Sequence, residues 1–272
     1  MLFYRCPTDK KAQNMTQSLH PAAQQGFSSA AELYQQARPN YPQQIVTWLQ
    51  QQLNLDAQST VVDLGSGTGK FLPYLQQVTS KIIAVEPISE MLAQLKHAYP
   101  QVSTLQASSE QLPIASESID AVICAQSFHW FATIESLNEI HQVLKPNGQL
   151  GLVWNQRDIQ VDWVKALADV LELLEGDTPR FHSGQWQQVF EQQFLFELDQ
   201  IKTFPHVHIG RVDEVVSKRL LSTSFIAAMP AAQQQQLKAQ FEQIVADYTG
   251  KAPHDEIVFP YVTYAYNFKK TT

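Results

Sequence analysis

The sequence predicts an α/β protein built on a mostly parallel β-sheet with helices on both faces, and two observations carry that expectation. Short apolar or β-branched runs alternate with helical patterns from about residue 43 to residue 154, the order of βαβ units. Directly after the first run, the segment 61–70, VVDLGSGTGK, places Gly65, Gly67 and Gly69, three of the chain's ten glycines, within five positions. Glycines at a strand-to-helix turn permit backbone conformations and close approaches that a Cβ obstructs.

Taken in order, Pro42 followed by Ile45, Trp48, Leu49 and Leu53 on one face predicts a helix over 43–53. A strand at 60–64 leads through the glycine turn into a helix at 68–77. KIIAVE (81–86) reads as a strand, 89–98 as a helix stopped by Pro100, and 102–105 as a weaker strand. SIDAVICA (118–125) is a buried strand, TIESLNEIHQVL (133–144) a helix and GQLGLVW (148–154) a further strand. Right-handed crossovers then set the C-terminal strand ends along one edge, where open α/β sheets bind ligands. Beyond about residue 155 the alternation loosens into helices at 161–175, 211–223 and 231–248 and β-like runs at 194–206 and 256–268.

Composition narrows the functions. A 272-residue chain with 44% hydrophobic residues can bury a core without disulfides or metals. Its net charge of −7 opposes nucleic acid. The two cysteines, Cys6 and Cys124, make neither a disulfide framework nor a metal spacing, and Cys124 sits in an apolar run. No apolar stretch of membrane-spanning length and no secretory leader are evident, so a cytoplasmic setting is expected. Residues 1–26, which include MLFYRCPTDKKAQN before Met15, are expected to form an arm outside the fold. His206 and His208 share one face of a β-like run, but without a third ligand no metal site is expected.

Three readings of the glycine turn compete. A phosphate-binding P-loop requires glycine where Leu64 stands and Ser or Thr where Phe71 stands, so it fails. The dinucleotide fingerprint matches at Gly65 and Gly67 but meets Lys70 at its third glycine. The Gly-x-Gly-x-Gly pattern remains. VVDLGSGTGKF resembles the first motif of the class I S-adenosylmethionine-dependent methyltransferases, and further segments extend the resemblance in the family's order. Glu86 lies 23 residues after Asp63 at a strand end, ASSEQLPIASESIDAVICAQSFHWF is similar to the adenine-side segment, and VLKPNGQLGLVWNQRD resembles the turn into the fifth strand. FSSAAELYQQARPNYP, AQSFHWF and WNQRD are similar to a subgroup that includes trans-aconitate methyltransferases.

The resemblance implies a Rossmann-like fold with a seven-stranded sheet whose last strand is antiparallel, helices on both faces and a helical lid. It implies a cofactor core at 27–158, with 159–272 completing the sheet and covering the acceptor. It implies S-adenosyl-L-methionine held by Tyr34, Arg38, Asp63, Gly65, Ser66, Gly67, Gly69, Glu86, Pro87, Met91, Ser108, Ser109, Glu110, Gln126 and Phe128. Glu86 is expected on the ribose hydroxyls and Asp63 near the methionine amino group. Trp130, Trp154 and Arg157 are candidate acceptor contacts, Arg157 as a carboxylate clamp or as the ion-pair partner of Asp158 or another acid. His129 is the candidate general base for a hydroxyl, amine or carbon acid, or else a hydrogen-bonded structural residue. The expected acceptor is a small molecule, by analogy a carboxylic acid. An NAD(P)-dependent oxidoreductase and a non-catalytic cofactor-binding protein stay open as alternatives.

Overall fold

The computed structural model describes residues 37–271 of the 272-residue chain; Tyr34 and the expected arm at 1–26 lie outside them. Helix α1 (Gln44–Gln51) buries Ile45, Trp48 and Leu49 as its spacing predicts. Strand β1 (Thr60–Leu64) runs into the glycine turn and a single-turn helix α2 (Leu72–Leu75), followed by β2 (Lys81–Val85), α3 (Ser89–Ala98) and β3 (Ser103–Leu105). Strand β4 (Ile119–Ala125), a 3-10 turn at Phe128–Trp130, α4 (Ile134–Val143) and β5 (Leu144–Arg157) complete the alternating half. Helix α5 (Asp162–Glu172), a second 3-10 turn (Gln185–Phe190), β6 (Phe196–Arg211), a π-helical stretch (Val212–Lys218), α6 (Arg219–Leu221), α7 (Ser224–Ala227), α8 (Ala231–Thr249) and β7 (Glu256–Lys270) follow.

The seven strands form one sheet in the order β3-β2-β1-β4-β5-β7-β6. The first five pair in parallel, and β7 is antiparallel to both neighbours. Consecutive residues of a central strand face opposite layers, and both layers are apolar, so these strands read as continuous hydrophobic runs. Val61, Ala121, Ile123 and Val153 pack beneath α1, α2 and α3. Val62, Val122, Cys124 and Leu152 face the layer that holds α4 and the Trp186 turn. A third cluster joins α5, the π-helical stretch and α8 to the start of β7 through Val164, Leu167, Val216, Phe241 and Phe259.

Two elements depart from the sequence expectation. The helix anticipated over 68–77 shrinks to one turn, because Gly65, Gly67 and Gly69 all take positive φ and hold the chain in a loop up to Phe71. The strand expected over 148–154 begins at Leu144, which pairs with Ile119 directly after α4, and continues to Arg157. The strand order reverses beside β1, between β2 and β4, so the glycine turn, Glu86 after β2 and Gln126 after β4 share one edge of the sheet.

Candidate active site

The glycine turn is pinned to the end of β2. The backbone N–H groups of Gly65 and Ser66 both donate to the Val85 carbonyl at 2.8 and 3.1 Å, and the Ser66 hydroxyl donates to it as well. Gly65 has φ +69°, and a Cβ on it would stand 2.6 Å from Cβ of Ser127. A Cβ on Gly69 (φ +86°) would meet the Tyr99 ring at 2.8 Å. Both glycines are therefore required by the protein's own packing as well as by backbone conformation. A Cβ on Gly67 would only touch Met91 at 3.6 Å, so its positive φ is the constraint there.

Glu86 closes the turn. Its Oε2 accepts from the Gly67 N–H at 2.8 Å and its Oε1 from the Ile88 N–H at 3.0 Å. A carboxylate oxygen accepts more than one hydrogen bond, so each keeps a lone pair for a further donor. Burial pushes the Glu86 carboxyl up to about 7 against the pull of those two N–H groups. Asp63, only 1% exposed, has no hydrogen-bond partner for either carboxylate oxygen among the described residues. Burial, then repulsion from Glu86, raises it to about 7. Two buried acids lining one cleft, one of them unpartnered, are a local demand for hydroxyl or cationic donors.

The cleft above this turn gathers most of the cofactor residues expected from the sequence. Arg38, Asp63, Gly65, Ser66, Gly67, Glu86, Pro87, Met91, Ser108, Ser109, Glu110 and Gln126 all line it, as does Trp130. Ser109 is buried and shares a hydrogen bond with the Ser136 hydroxyl at 2.9 Å. Gly69 stands behind the wall, against Tyr99.

Two expected residues are corrected. Phe128 is fully buried among Phe131, Trp186 and Phe190, because the 3-10 turn after β4 rotates its ring into the core. Trp154 is fully buried too, packed on Phe181, Trp186 and Tyr266, because its position on β5 points into the layer beneath that turn. It meets the site only through its indole N–H, which donates to Nδ1 of His129 at 3.0 Å.

A second cleft adjoins the first and shares Arg38, Gln126, Trp130, Asn155 and Arg219 with it. Its other walls include His129, Arg157, Glu175, Arg180, His182 and Phe225. Asn155 braces the shared wall: its Nδ2 donates to the Asn40 carbonyl at 2.8 Å and its Oδ1 accepts from the Thr263 hydroxyl at 2.6 Å. Gln126, at φ 62°, donates from its side chain to the Asn155 carbonyl at 3.1 Å.

Four of the chain's six arginines, Arg38, Arg157, Arg180 and Arg219, line this second cleft, where Glu175 is the sole carboxylate among the described residues. Glu175 accepts from His182 at 2.9 Å and stands 3.9 Å from Nε of Arg180. The Arg180 guanidinium also lies 4.7 Å over the Phe225 ring. Arg219 is 6% exposed, and its Nε and one terminal nitrogen have no partner among the described residues. Burial lowers both Arg157 and Arg180 to about 10, with the Arg219 charge adding to each. Among the described residues no ion pair joins Arg157 to Asp158. The cleft thus carries a concentrated, incompletely neutralised positive charge.

Sequence reasoning did not assign Lys70, Glu175, Arg180 or Arg219 to the site. Lys70 lines the first cleft, where burial, Arg38 and Arg219 bring it down to about 8. Its place next to Gly69 was the available signal. Glu175, Arg180 and Arg219 sit in no motif, and only the tertiary fold brings them to Arg157.

Comparison with known proteins agrees with this geometry. A family model described as a methyltransferase domain matches residues 62–152. An uncharacterised methyltransferase-like protein of Schizosaccharomyces pombe is 36% identical over 245 residues, covering 90% of this chain and 95% of that one. An uncharacterised methyltransferase of Mycobacterium bovis is 31% identical over 250 residues, 87% of this chain and 92% of its own length. Among solved structures, a type II methyltransferase candidate from Anaeromyxobacter dehalogenans superposes with a TM-score of 0.63 at 22% identity, over 85% of this chain and 96% of that one. The Rossmann-like sheet and its ligand edge define a nucleotide-cofactor protein. The chain belongs to the class I S-adenosylmethionine-dependent methyltransferases. Methyl transfer is accordingly its enzymatic class and S-adenosylmethionine its cofactor, which sets aside the oxidoreductase and non-catalytic alternatives.

The residues present fit that cofactor. Unpartnered Asp63 suits a cationic amino group, and the Glu86 carboxylate, held by two N–H groups, suits a pair of hydroxyls.

Proposed function

We propose that this enzyme methylates a small-molecule carboxylate, with cofactor and acceptor held in the two adjoining clefts. The observation that carries this reading is the convergence of Arg157, Arg180 and Arg219 on the second cleft, where Glu175 is the one carboxylate among the described residues. A guanidinium is a planar fork of donors that matches two carboxylate oxygens, and such a cluster repels amines. The acidic chain as a whole disfavours a nucleic-acid acceptor.

On this reading residues 27–158 hold the cofactor, and 159–272 complete the sheet and cover the acceptor with Arg180, Arg219 and Tyr261. Bound S-adenosylmethionine supplies an electrophilic sulfonium methyl group. Asp63 holds the amino group at one end of the first cleft, Glu86 grips the ribose, and the segment around Ser108, Ser109 and Glu110 flanks the base. Arg157, Arg180 and Arg219 would hold the acceptor carboxylate in the second cleft, next to the first at the shared residues Gln126, Trp130 and Asn155. With the cofactor bound, an ionised carboxylate held by the arginines would present an oxygen lone pair to the methyl group and would yield a methyl ester. No proton moves, so the protein's task is positioning and exclusion of water.

The test is transfer of a labelled methyl group to a panel of mono-, di- and tricarboxylic acids. A methyl ester releases its label as volatile methanol in alkali, and a methyl ether or amine does not. Alkali-volatile product from at least one acid is expected, with Arg157→Met raising KM for that acid about tenfold or more and leaving cofactor affinity unchanged. Transfer only to an amine or alcohol, with alkali-stable label, would overturn the proposal.

A further inference from the structure

His129 lines the second cleft from the 3-10 turn after β4, a position from which a general base could act. Its ring geometry argues against that role. An indole N–H only donates, so the 3.0 Å contact from Trp154 makes Nδ1 of His129 the acceptor. A neutral imidazole with one nitrogen accepting carries its proton on the other. Nδ1 is therefore occupied, and Nε2, the ring's remaining polar atom, bears hydrogen on the side left to the cleft.

Trp154 cannot turn away. It is fully buried and packed on Phe181, Trp186 and Tyr266 with ring centroids 4.6–5.9 Å apart. The charged groups around the imidazole come from several elements: Arg38 from the segment before α1, and Arg180 and His182 from the segment after α5, with Glu175 in the same cleft. Burial and then the neighbouring positive charges bring His129 down to about 3, so it stays neutral throughout the physiological range.

We propose that Trp154 locks His129 in its Nε2–H tautomer, making it a fixed hydrogen-bond donor to the acceptor and not a base that deprotonates it. Trp154 is the positioning residue, and His129 touches the acceptor. A hydroxyl or carbon acid must lose a proton during methylation, and this imidazole has no free lone pair to take it. A carboxylate presents an oxygen that accepts the Nε2–H while the arginines hold the rest. The inference deepens the carboxylate reading and rests on methyl transfer at this site, but the tautomer itself can be measured without any acceptor.

Two measurements decide it. The first is nitrogen-15 NMR of the imidazole ring in the intact protein, assigned with His129→Gln. The proposal requires a proton-free Nδ1 and a proton-bearing Nε2, unchanged from pH 5 to pH 8. A proton on Nδ1, or titration within that range, overturns it. The second is the pH profile of methyl transfer to a carboxylate. Here His129→Ala is expected to lose about tenfold in kcat/KM, His129→Gln to recover most of that loss through its amide N–H, and neither variant to remove an ionisation from the profile. Equal loss in both variants, with a wild-type rate that falls below a neutral pKa, would assign His129 as a base and overturn the proposal. Trp154→Phe adds a direct check on the lock: with the indole donor gone, the ring is expected to sample both tautomers, and an unchanged spectrum contradicts the role given to Trp154. Absence of transfer to every carboxylate would sink the acceptor reading alone, and the NMR arm would still decide the tautomer.

Discussion

At Asp63 a buried carboxylate without a hydrogen-bond partner among the described residues stands beside a second buried acid, Glu86, and both are raised to about 7. A cationic ligand binds their ionised forms. The direction follows by linkage: below about pH 7 protons compete for the carboxylates, so cofactor affinity rises with pH and levels off above that point. The expected slope is about tenfold per pH unit for each proton displaced. Calorimetric titration of S-adenosylmethionine between pH 5.5 and 7.5 would read this slope, and Asp63→Asn should flatten most of it while weakening binding at the upper end. A wild-type affinity independent of pH would refute the assignment. The resemblance singled out Glu86 in the sequence by its place 23 residues after Asp63 at a strand end, and the structure brings it to the glycine turn. The burial of Phe128 and Trp154 was not legible there, because which face of a strand end or 3-10 turn meets the ligand depends on twist and on the packing of Trp186, Phe190 and Tyr266 beneath it.

Among the elements, the glycine turn has the most exacting geometry. Gly65 combines φ +69° with a Cβ position 2.6 Å from that of Ser127, and Ser127 in turn donates its hydroxyl to the Leu64 carbonyl at 2.7 Å. Gly65→Ala should destabilise the apo protein by about 2–4 kcal/mol, the sum of left-handed backbone strain and an overpacked contact. Denaturant unfolding would measure this, and a change below about 0.5 kcal/mol, the range of ordinary surface substitutions, would contradict the packing argument. The sequence showed that glycines were needed here and suggested an approaching ligand as the reason. The protein's own Ser127 and Tyr99 supply much of that reason, and distant contacts of this kind leave no local pattern. The π-helical stretch Val212–Lys218 is a similar case. Its apolar spacing announced a helix, but the widened turn that precedes Arg219 at the cleft was visible only in three dimensions.

Across the whole molecule, the alternating half could be read nearly strand by strand, because buried parallel strands are continuous apolar runs and the helices between them keep a strict face. In the second half the resemblance implies an antiparallel last strand that completes the sheet, as β7 does, but not the order of the elements around it. Strand β7, antiparallel between β5 and β6, carries Tyr261 and Thr263 to the shared edge, and the segments before β6 and after it deliver Arg180 and Arg219. Arginines separated by tens of residues meet only after this closure, so the arginine-lined cleft has no linear signature beyond Arg157. The two clefts, one lined by paired acids and the other by arginines, share a wall at Gln126, Trp130 and Asn155. The account rests on the first of them holding S-adenosylmethionine through Glu86. Calorimetry of the wild type beside Glu86→Ala tests this most directly. The account predicts saturable binding by the wild type and a loss of about tenfold or more in the variant, the worth of a hydrogen bond to a charged group; equal affinity in the two proteins would contradict it.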